Sequence, residues 1–250
     1  MYTTFRQPLL GDRRLICLPH AGGSANDYRH WAGAVPGVDV IAARLPGRDS
    51  RFAEPAATEF EPLVDHLLAE LTPYLGTPYA LFGHSMGGLL GYELGRRLEA
   101  AGHGPELVIA AGTAAPAELS GPHPSGAPAD DLPSDEVLLD ELRRDRAAPP
   151  EVLADAELMA LLLPVLRADL AVVASYRDDP ARPPLRAPLR LYHGRDEVPD
   201  PDRLVAGWAP SVTGTPRAHG FPGGHFFVRT ASDEVLARLT EDLYERTAVR

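Results

Sequence analysis

Residues 81–90 read LFGHSMGGLL, and the role of Ser85 in this stretch decides the fold. Gly83-His84-Ser85-Met86-Gly87 fits the pattern G-x-S-x-G, directly after the apolar run YALFG (79–83) and directly before a helical pattern over 86–101. A strand, a sharp turn and a helix are the context this pattern needs, because the serine must sit on a strained bend with its oxygen exposed above a sheet. Glycines two residues before and two after it leave room where a Cβ would collide. Gly87, Gly88, Gly91 and Gly95 continue down the helix, where an interior glycine costs about 1 kcal/mol relative to alanine. Such spacing predicts a helix lying close against the sheet. The helix start also directs free amide groups and its dipole towards the serine oxygen. The plain alternative, a small residue at a tight turn, leaves the flanking strand and helix unexplained. Ser85 is the candidate nucleophile.

Working outward, RRLICLP (13–19), VDVIAARLP (38–46), ELVIAAG (106–112) and LRLYHG (189–194) repeat the short apolar run bounded by Gly or Pro. Continuous runs of this kind suit parallel strands covered on both faces. Helical patterns lie between them at 59–75, 86–101, 201–209 and 232–246. In the first, Phe60, Leu63, Val64, Leu67, Leu68 and Leu71 make one apolar stripe. Alternating strands and helices predict a mostly parallel, doubly wound α/β sheet in a single domain spanning 1–250, and with the strand–G-x-S-x-G–helix turn the expectation is an α/β-hydrolase fold.

The alternation breaks after residue 112. Residues 113–131, rich in Ala, Pro, Gly and Ser, read as loop, and SDEVLLDELRRD (134–145) and 155–176 then read as consecutive helices without a strand between. Ser134 and Asp155 are their N-cap candidates. Helices inserted at 113–176 are expected to form a lid over the active face.

Composition narrows the function classes. The chain has 250 residues, is 44% hydrophobic, and carries a formal charge of −11 with every one of its 24 cationic side chains an arginine. No basic patch dominates to neutralise phosphates, which argues against a nucleic-acid partner. No run of 18 apolar residues suggests a membrane span, and MYTTFRQPLLGDRR does not resemble a secretory leader. The single cysteine, Cys17, cannot form an internal disulfide and is expected to be a buried strand thiol. The expectation is a cytoplasmic, monomeric protein without a cofactor or metal.

A serine nucleophile needs a base. His84 adjoins it in sequence but should aim away from it. His30 and His66 fall in helical patterns, and His103, His123 and His219 in loops or near strand ends. His225, in GFPGGHFFVRTASDEV, lies in a Gly-rich loop before the last helix, where an imidazole can reach the C-terminal edge of the sheet. The third member is a carboxylate that fixes the imidazole tautomer and stabilises the imidazolium. Asp196 stands two residues past Gly194 at the same edge, with Glu197 next door and Asp200 slightly further, so position alone does not force the choice. The loop after 106–112 offers no acid close to the strand end, which favours Asp196. The order Ser85, Asp196, His225 is the order of α/β-hydrolases. For the oxyanion, Met86 supplies one amide, and Ala21 in LPHAGGSANDY (18–28) supplies the second.

LPHAGGSA, RLPGRDSRFAEP, LFGHSMGG, LLLPVLRADLAVVASY, HGRDE and FPGGHFFV together resemble the type II thioesterases, the stand-alone enzymes that accompany polyketide synthases and non-ribosomal peptide synthetases. The resemblance runs in order from about residue 13 to the last helix. It implies Ser85, Asp196 and His225 as the triad, Ala21 and Met86 as the oxyanion hole, and 113–176 as a mobile lid. It also implies a carrier domain as partner, whose phosphopantetheine arm brings an acyl thioester to be removed when misprimed or stalled. One departure stands out: RAAPP (146–150) replaces the glycine-containing turn usual after the first lid helix. Arg44, Arg48 and Arg51 are visible candidates for meeting an acidic carrier, though a solvated loop explains them as simply. Leu161, Leu162, Leu163, Val165 and Leu166 suit an acyl channel or ordinary packing equally. A product-releasing thioesterase, a general carboxylesterase and a non-catalytic binding protein of the same fold remain as alternatives; all three triad members being present argues against the last.

Overall fold

The five apolar runs become the centre of a seven-stranded sheet. A computed structural model describes residues 1–120, 133–179 and 181–245 of the chain. In chain order it contains β1 (Tyr2–Thr4), β2 (Arg13–Leu18), β3 (Val38–Ala43), α1 (Phe60–Leu71), β4 (Tyr79–His84), α2 (Met86–Ala100), β5 (Leu107–Ala111), α3 (Pro116–Leu119), α4 (Asp135–Arg144), α5 (Pro150–Leu153), α6 (Ala156–Ser175), β6 (Leu189–Gly194), α7 (Pro201–Trp208), β7 (Arg217–Phe221), α8 (Phe227–Thr230) and α9 (Ser232–Glu245). Strand order is β1-β3-β2-β4-β5-β6-β7. Only β1 runs antiparallel; every other neighbouring pair is parallel.

Every residue of β4, β5 and β6 is buried, because helices cover both faces of the sheet. One face packs α1 and α2 through Phe60, Val64, Leu67, Leu89 and Leu90 against Ile16 and Leu81. The other packs Tyr28, Trp31, Leu239 and Leu243 against Leu15, Phe82 and Ile109. The predicted stripe on α1 is the buried one, with Leu68 half-buried at its margin. The two strands that the apolar runs do not announce are both at edges. β1 is three residues long and partly exposed, and β7, RAHGF, buries only Phe221 fully. An edge strand has one side to cover, so it needs no continuous apolar run.

The excursion after β5 is helical where it is described. α3 replaces part of the stretch expected to be loop; residues 121–132, His123 among them, lie outside the described residues. Ser134 and Asp155 cap α4 and α6 as their positions predict, their side chains accepting from Val137 and from Glu157 and Leu158 amides. α5, started by Pro150 at its first turn, was not anticipated. Leu138, Leu153, Met159, Leu163 and Leu166 from α4, α5 and α6 form a separate apolar cluster, and Ala21 packs against it. Among the described residues, α6 alone has the length and mean hydropathy of a membrane span. Its Met159-Leu163-Leu166 stripe is buried in that cluster, and it carries a buried aspartate, Asp169.

Candidate active site

Ser85 occupies the one-residue bend between β4 and α2 at φ 54°, ψ −116°. That conformation is unfavourable for a residue with a Cβ, and it persists because its backbone is pinned on both sides. The Ser85 amide donates to the Ala111 carbonyl at 2.7 Å, and its own carbonyl accepts from the Gly88 amide at 2.9 Å and the Thr113 hydroxyl at 3.0 Å. The two pattern glycines have separate steric reasons. A Cβ on Gly83 would lie 1.9 Å from the Gly87 carbonyl oxygen, and one on Gly87 would lie 2.1 Å from the Leu18 carbonyl oxygen. The second contact shows that the loop after β2 abuts the first turn of α2.

That loop carries the other candidate oxyanion donor. Gly22 donates its amide to Asp169 at 2.7 Å, Gly23 to the His20 carbonyl at 2.9 Å, and Ser24 to Asp27 at 2.8 Å. Among the described residues the Ala21 amide has no such partner, which leaves it available. Met86, at the first helical position, also has an amide without an intrahelical acceptor. Met86 follows the Ser85 bend directly, and Ala21 lies in the loop whose start, at Leu18 and Pro19, abuts Gly87 of α2.

His225 follows β7 in the loop before α8. Its Nδ1–H donates to Glu197 Oε1 at 2.6 Å. The expected partner, Asp196, is exposed, and its amide continues the ladder by donating to the Gly223 carbonyl at 3.1 Å. The reason is backbone geometry. Arg195 still pairs with Phe221, the last residue of β7, and Asp196 with Gly223 beyond it, and a turn follows in which the Glu197 and Val198 amides donate to the Gly194 carbonyl. That turn, not the strand end, presents a carboxylate to His225, and it presents position 197. With Nδ1 occupied, His225 keeps Nε2 free.

His84 is part of the site in a way its sequence position did not suggest. Its Nε2–H donates to the His225 backbone carbonyl at 2.8 Å. Only a donor can satisfy a carbonyl, so the Nε2–H tautomer is fixed. Burial, with His20 and His225 as further causes, pushes His84 well below the usual histidine range, and burial likewise brings His20 down to about 3. The rings stand in a row, His20 to His84 at 5.1 Å and His84 to His225 at 5.2 Å between centroids. Two neutral imidazoles therefore back the third.

A cavity of about 430 Å³ lies between the β2 loop and the inserted helices, lined by Ala21, Leu142, Leu153, Leu162, Leu166 and Phe226 among others. Of the leucines suggested for a channel, Leu162 and Leu166 line it, Leu163 is buried in the helical cluster and Leu161 points outward. The arginine loop is not a free cationic patch. Arg48 is buried against Asp169, Arg51 pairs with Glu54 and Arg44 donates to Ser50 Oγ at 2.7 Å. Cys17 is buried, as expected.

The family model for the thioesterase domain matches residues 13–243. The chain belongs to the thioesterase family. It is 34% identical over 232 residues to a probable cadicidin biosynthesis thioesterase of Streptomyces griseus, covering 92% of this chain and 62% of that one. It is 31% identical to the gramicidin S biosynthesis protein GrsT of Aneurinibacillus migulanus, covering 92% and 88%. Among solved structures, the type II thioesterase BorB from the borrelidin biosynthetic cluster superposes with a TM-score of 0.84 at 35% identity, covering 96% of both chains. The resemblance read from the motifs therefore holds, as does the α/β-hydrolase fold, and the chain is a hydrolase of thioesters.

Proposed function

We propose that this thioesterase works through Ser85 as nucleophile, His225 as general base and Glu197, in place of Asp196, as the orienting acid. The observation that carries the proposal is the Glu197–His225 hydrogen bond at 2.6 Å, in a loop that is tied to His84, the residue before a serine held at positive φ. Ser85 Oγ attacks the acyl carbon while Nε2 of His225 takes its proton, and Glu197 stabilises the imidazolium that results. The Ala21 and Met86 amides receive the oxyanion. Collapse expels the thiol, protonated by His225, and leaves an ester on Ser85. A thiol, with a pKa of about 8.5, is a better leaving group than an alkoxide. Water, deprotonated by His225, then opens the acyl-enzyme through a second tetrahedral intermediate.

The substrate is an acyl thioester on the phosphopantetheine arm of a carrier domain, and the role is removal of misprimed or stalled acyl units in polyketide or non-ribosomal peptide synthesis. Relatives from two such clusters, aligned over nearly the whole chain, support this reading. The inserted helices act as a lid, and the cavity beneath them takes the acyl group. The protein works in the cytoplasm, where the synthases are made, and needs no cofactor of its own. Mass spectrometry of carrier domains loaded with acyl groups from acetyl to long-chain, incubated with the enzyme, tests it. Loss of the acyl mass with the wild type but not with Ser85→Ala is the expected result. Hydrolysis of simple esters with carrier thioesters untouched would point to a carboxylesterase instead.

A further inference from the structure

The family motifs RLPGR and LRADL meet in the fold. Arg48 and Asp169, 121 residues apart, form a bidentate pair with both N···O distances 2.6 Å. Both side chains are almost fully buried, at 8% and 1% relative exposure. Besides a bond from Arg48 Nε to the Pro46 carbonyl at 3.3 Å, the pair makes two contacts to the loop that carries Ala21. Asp169 Oδ2 accepts the Gly22 amide at 2.7 Å, and Arg48 Nη1 donates to the Gly23 carbonyl at 3.0 Å. A second tie runs from the same arginine loop, where Asp49 accepts from Ser24 Oγ at 2.8 Å and Asn26 Nδ2 at 3.0 Å.

We infer that Asp169, on the inserted helix α6, is a positioning residue for the oxyanion hole, acting through the Gly22 amide with Arg48 holding it in place. The inference rests on the serine mechanism proposed above. A peptide plane has one orientation. Fixing the Gly22 N–H on a carboxylate, and the Gly23 carbonyl on a guanidinium, fixes the chain on the C-terminal side of Ala21. The Gly22 amide is thereby committed to Asp169, and the preceding one, without a partner among the described residues, is left for the oxyanion. Gly22 sits at φ 75°, the left-handed conformation that lets the chain turn between the Asp169-bound amide and the Arg48-bound Gly23 carbonyl. Stability does not require the pair, because a buried ion pair is commonly no more stabilising than apolar residues of the same volume. What apolar residues cannot do is accept the Gly22 N–H. The same bond makes the hole depend on where α6 sits, so lid position and oxyanion stabilisation are one variable.

The test uses Asp169→Asn and the double variant Arg48→Met/Asp169→Leu on an acyl-carrier thioester. Displacing an oxyanion donor by a fraction of an ångström to 1 Å predicts a kcat about 10- to 100-fold lower, with KM within about 3-fold. Affinity for a trifluoromethyl ketone analogue, which forms a tetrahedral adduct, should fall in parallel, while affinity for an unreactive thioether analogue stays put. The double variant should keep its thermal midpoint and still show the kcat loss. Wild-type kcat in the double variant, or equal loss of both analogues, overturns the inference. The unmodified protein supplies a measurement that no folding defect can obscure. The Gly22 amide proton should be shifted downfield and exchange slowly, and a fast-exchanging, random-coil Gly22 amide overturns it as well. Failure of the serine mechanism itself would appear separately, as an active Ser85→Ala.

Discussion

Ser85 and Arg146 have almost the same φ, 54° and 53°, yet the two turns are built on different principles. At Ser85 the conformation is imposed. A strand ends, a helix begins one residue later, and the Ala111 carbonyl, the Thr113 hydroxyl and the Gly88 amide leave the backbone no alternative. At Arg146 the chain leaves α4 through a left-handed residue, with the Ala147 amide donating to the Leu142 carbonyl at 2.9 Å and the Arg146 amide to the Arg143 carbonyl at 3.2 Å. That is the hydrogen-bond pattern of a Schellman cap, where glycine is the usual occupant. Strain at the first turn holds the proposed nucleophile. Strain at the second belongs to a helix cap at the margin of the cavity that Glu197 and His225 line, and it is the kind a single substitution can remove.

The largest expected effect comes from breaking the first turn's chemistry while keeping its shape. Ser85→Ala retains the Cβ and the backbone bonds to Ala111, Gly88 and Thr113, so its thermal midpoint should stay within about 1–2 °C of wild type. Hydrolysis of an acyl-carrier thioester should fall at least about 10³-fold. A large drop in midpoint would mean that the hydroxyl itself helps hold the bend. Next in size is the acid. Glu197→Gln should lower kcat by about 10²- to 10⁴-fold, because an amide can leave the imidazole in the wrong tautomer and cannot stabilise the cation. Asp196→Asn, one residue away, should change kcat by less than about 2-fold. Steady-state kinetics on the two variants side by side would reverse the assignment if Asp196→Asn proved the more damaging.

A smaller effect probes how far the rigid neighbourhood of Ser85 extends. His84→Phe removes the donor to the His225 carbonyl and should lower kcat by about 10-fold through a looser His225 loop. His84→Gln, whose side-chain amide reaches a similar distance, should recover most of that loss. Equal damage from both would mean that ring packing against His20 and Phe226, not the hydrogen bond, is what His84 contributes.

The same contrast explains what could be read from the amino-acid sequence. The Ser85 turn is written in contiguous residues, since strand, glycines and helix all lie within 79–101, and its strand–bend–helix fold was legible. Counting from Gly194 pointed to Asp196, whereas His225 bonds Glu197, because that count does not reveal that residues 195 and 196 go on pairing with Phe221 and Gly223. The meeting of Arg48 with Asp169 was invisible: nothing local in either motif says that 121 intervening residues fold back to bury the two together. Arg48 accordingly read as part of a surface loop. α5 and the edge strands β1 and β7 were missed because three to five residues, half-covered, give too short a pattern for a periodicity to show.

Arg146→Gly is the smallest change and separates the two kinds of turn most directly. Glycine adopts φ near 53° without the Cβ clash, which for other residues is about 1–2 kcal/mol, while the more flexible unfolded chain takes back part of the gain. The net expectation is a stabilisation of about 0.5–1 kcal/mol. For a domain of this size that is a rise of about 1–4 °C in thermal midpoint, read by calorimetry or a thermal scan. The neighbouring contact survives the exchange, because Arg229 donates to the Arg146 carbonyl, which every residue has. kcat on a short acyl-carrier thioester should stay within about 2-fold: Arg146 lines one cavity with Glu197 and His225, but among the described residues its side chain makes no hydrogen bond to either, and Glu197 is the partner of His225. A fall in midpoint would show that the Arg146 side chain earns its strained position by a contact of its own. The turn after α4 would then resemble the Ser85 bend after all, with strain held for a purpose.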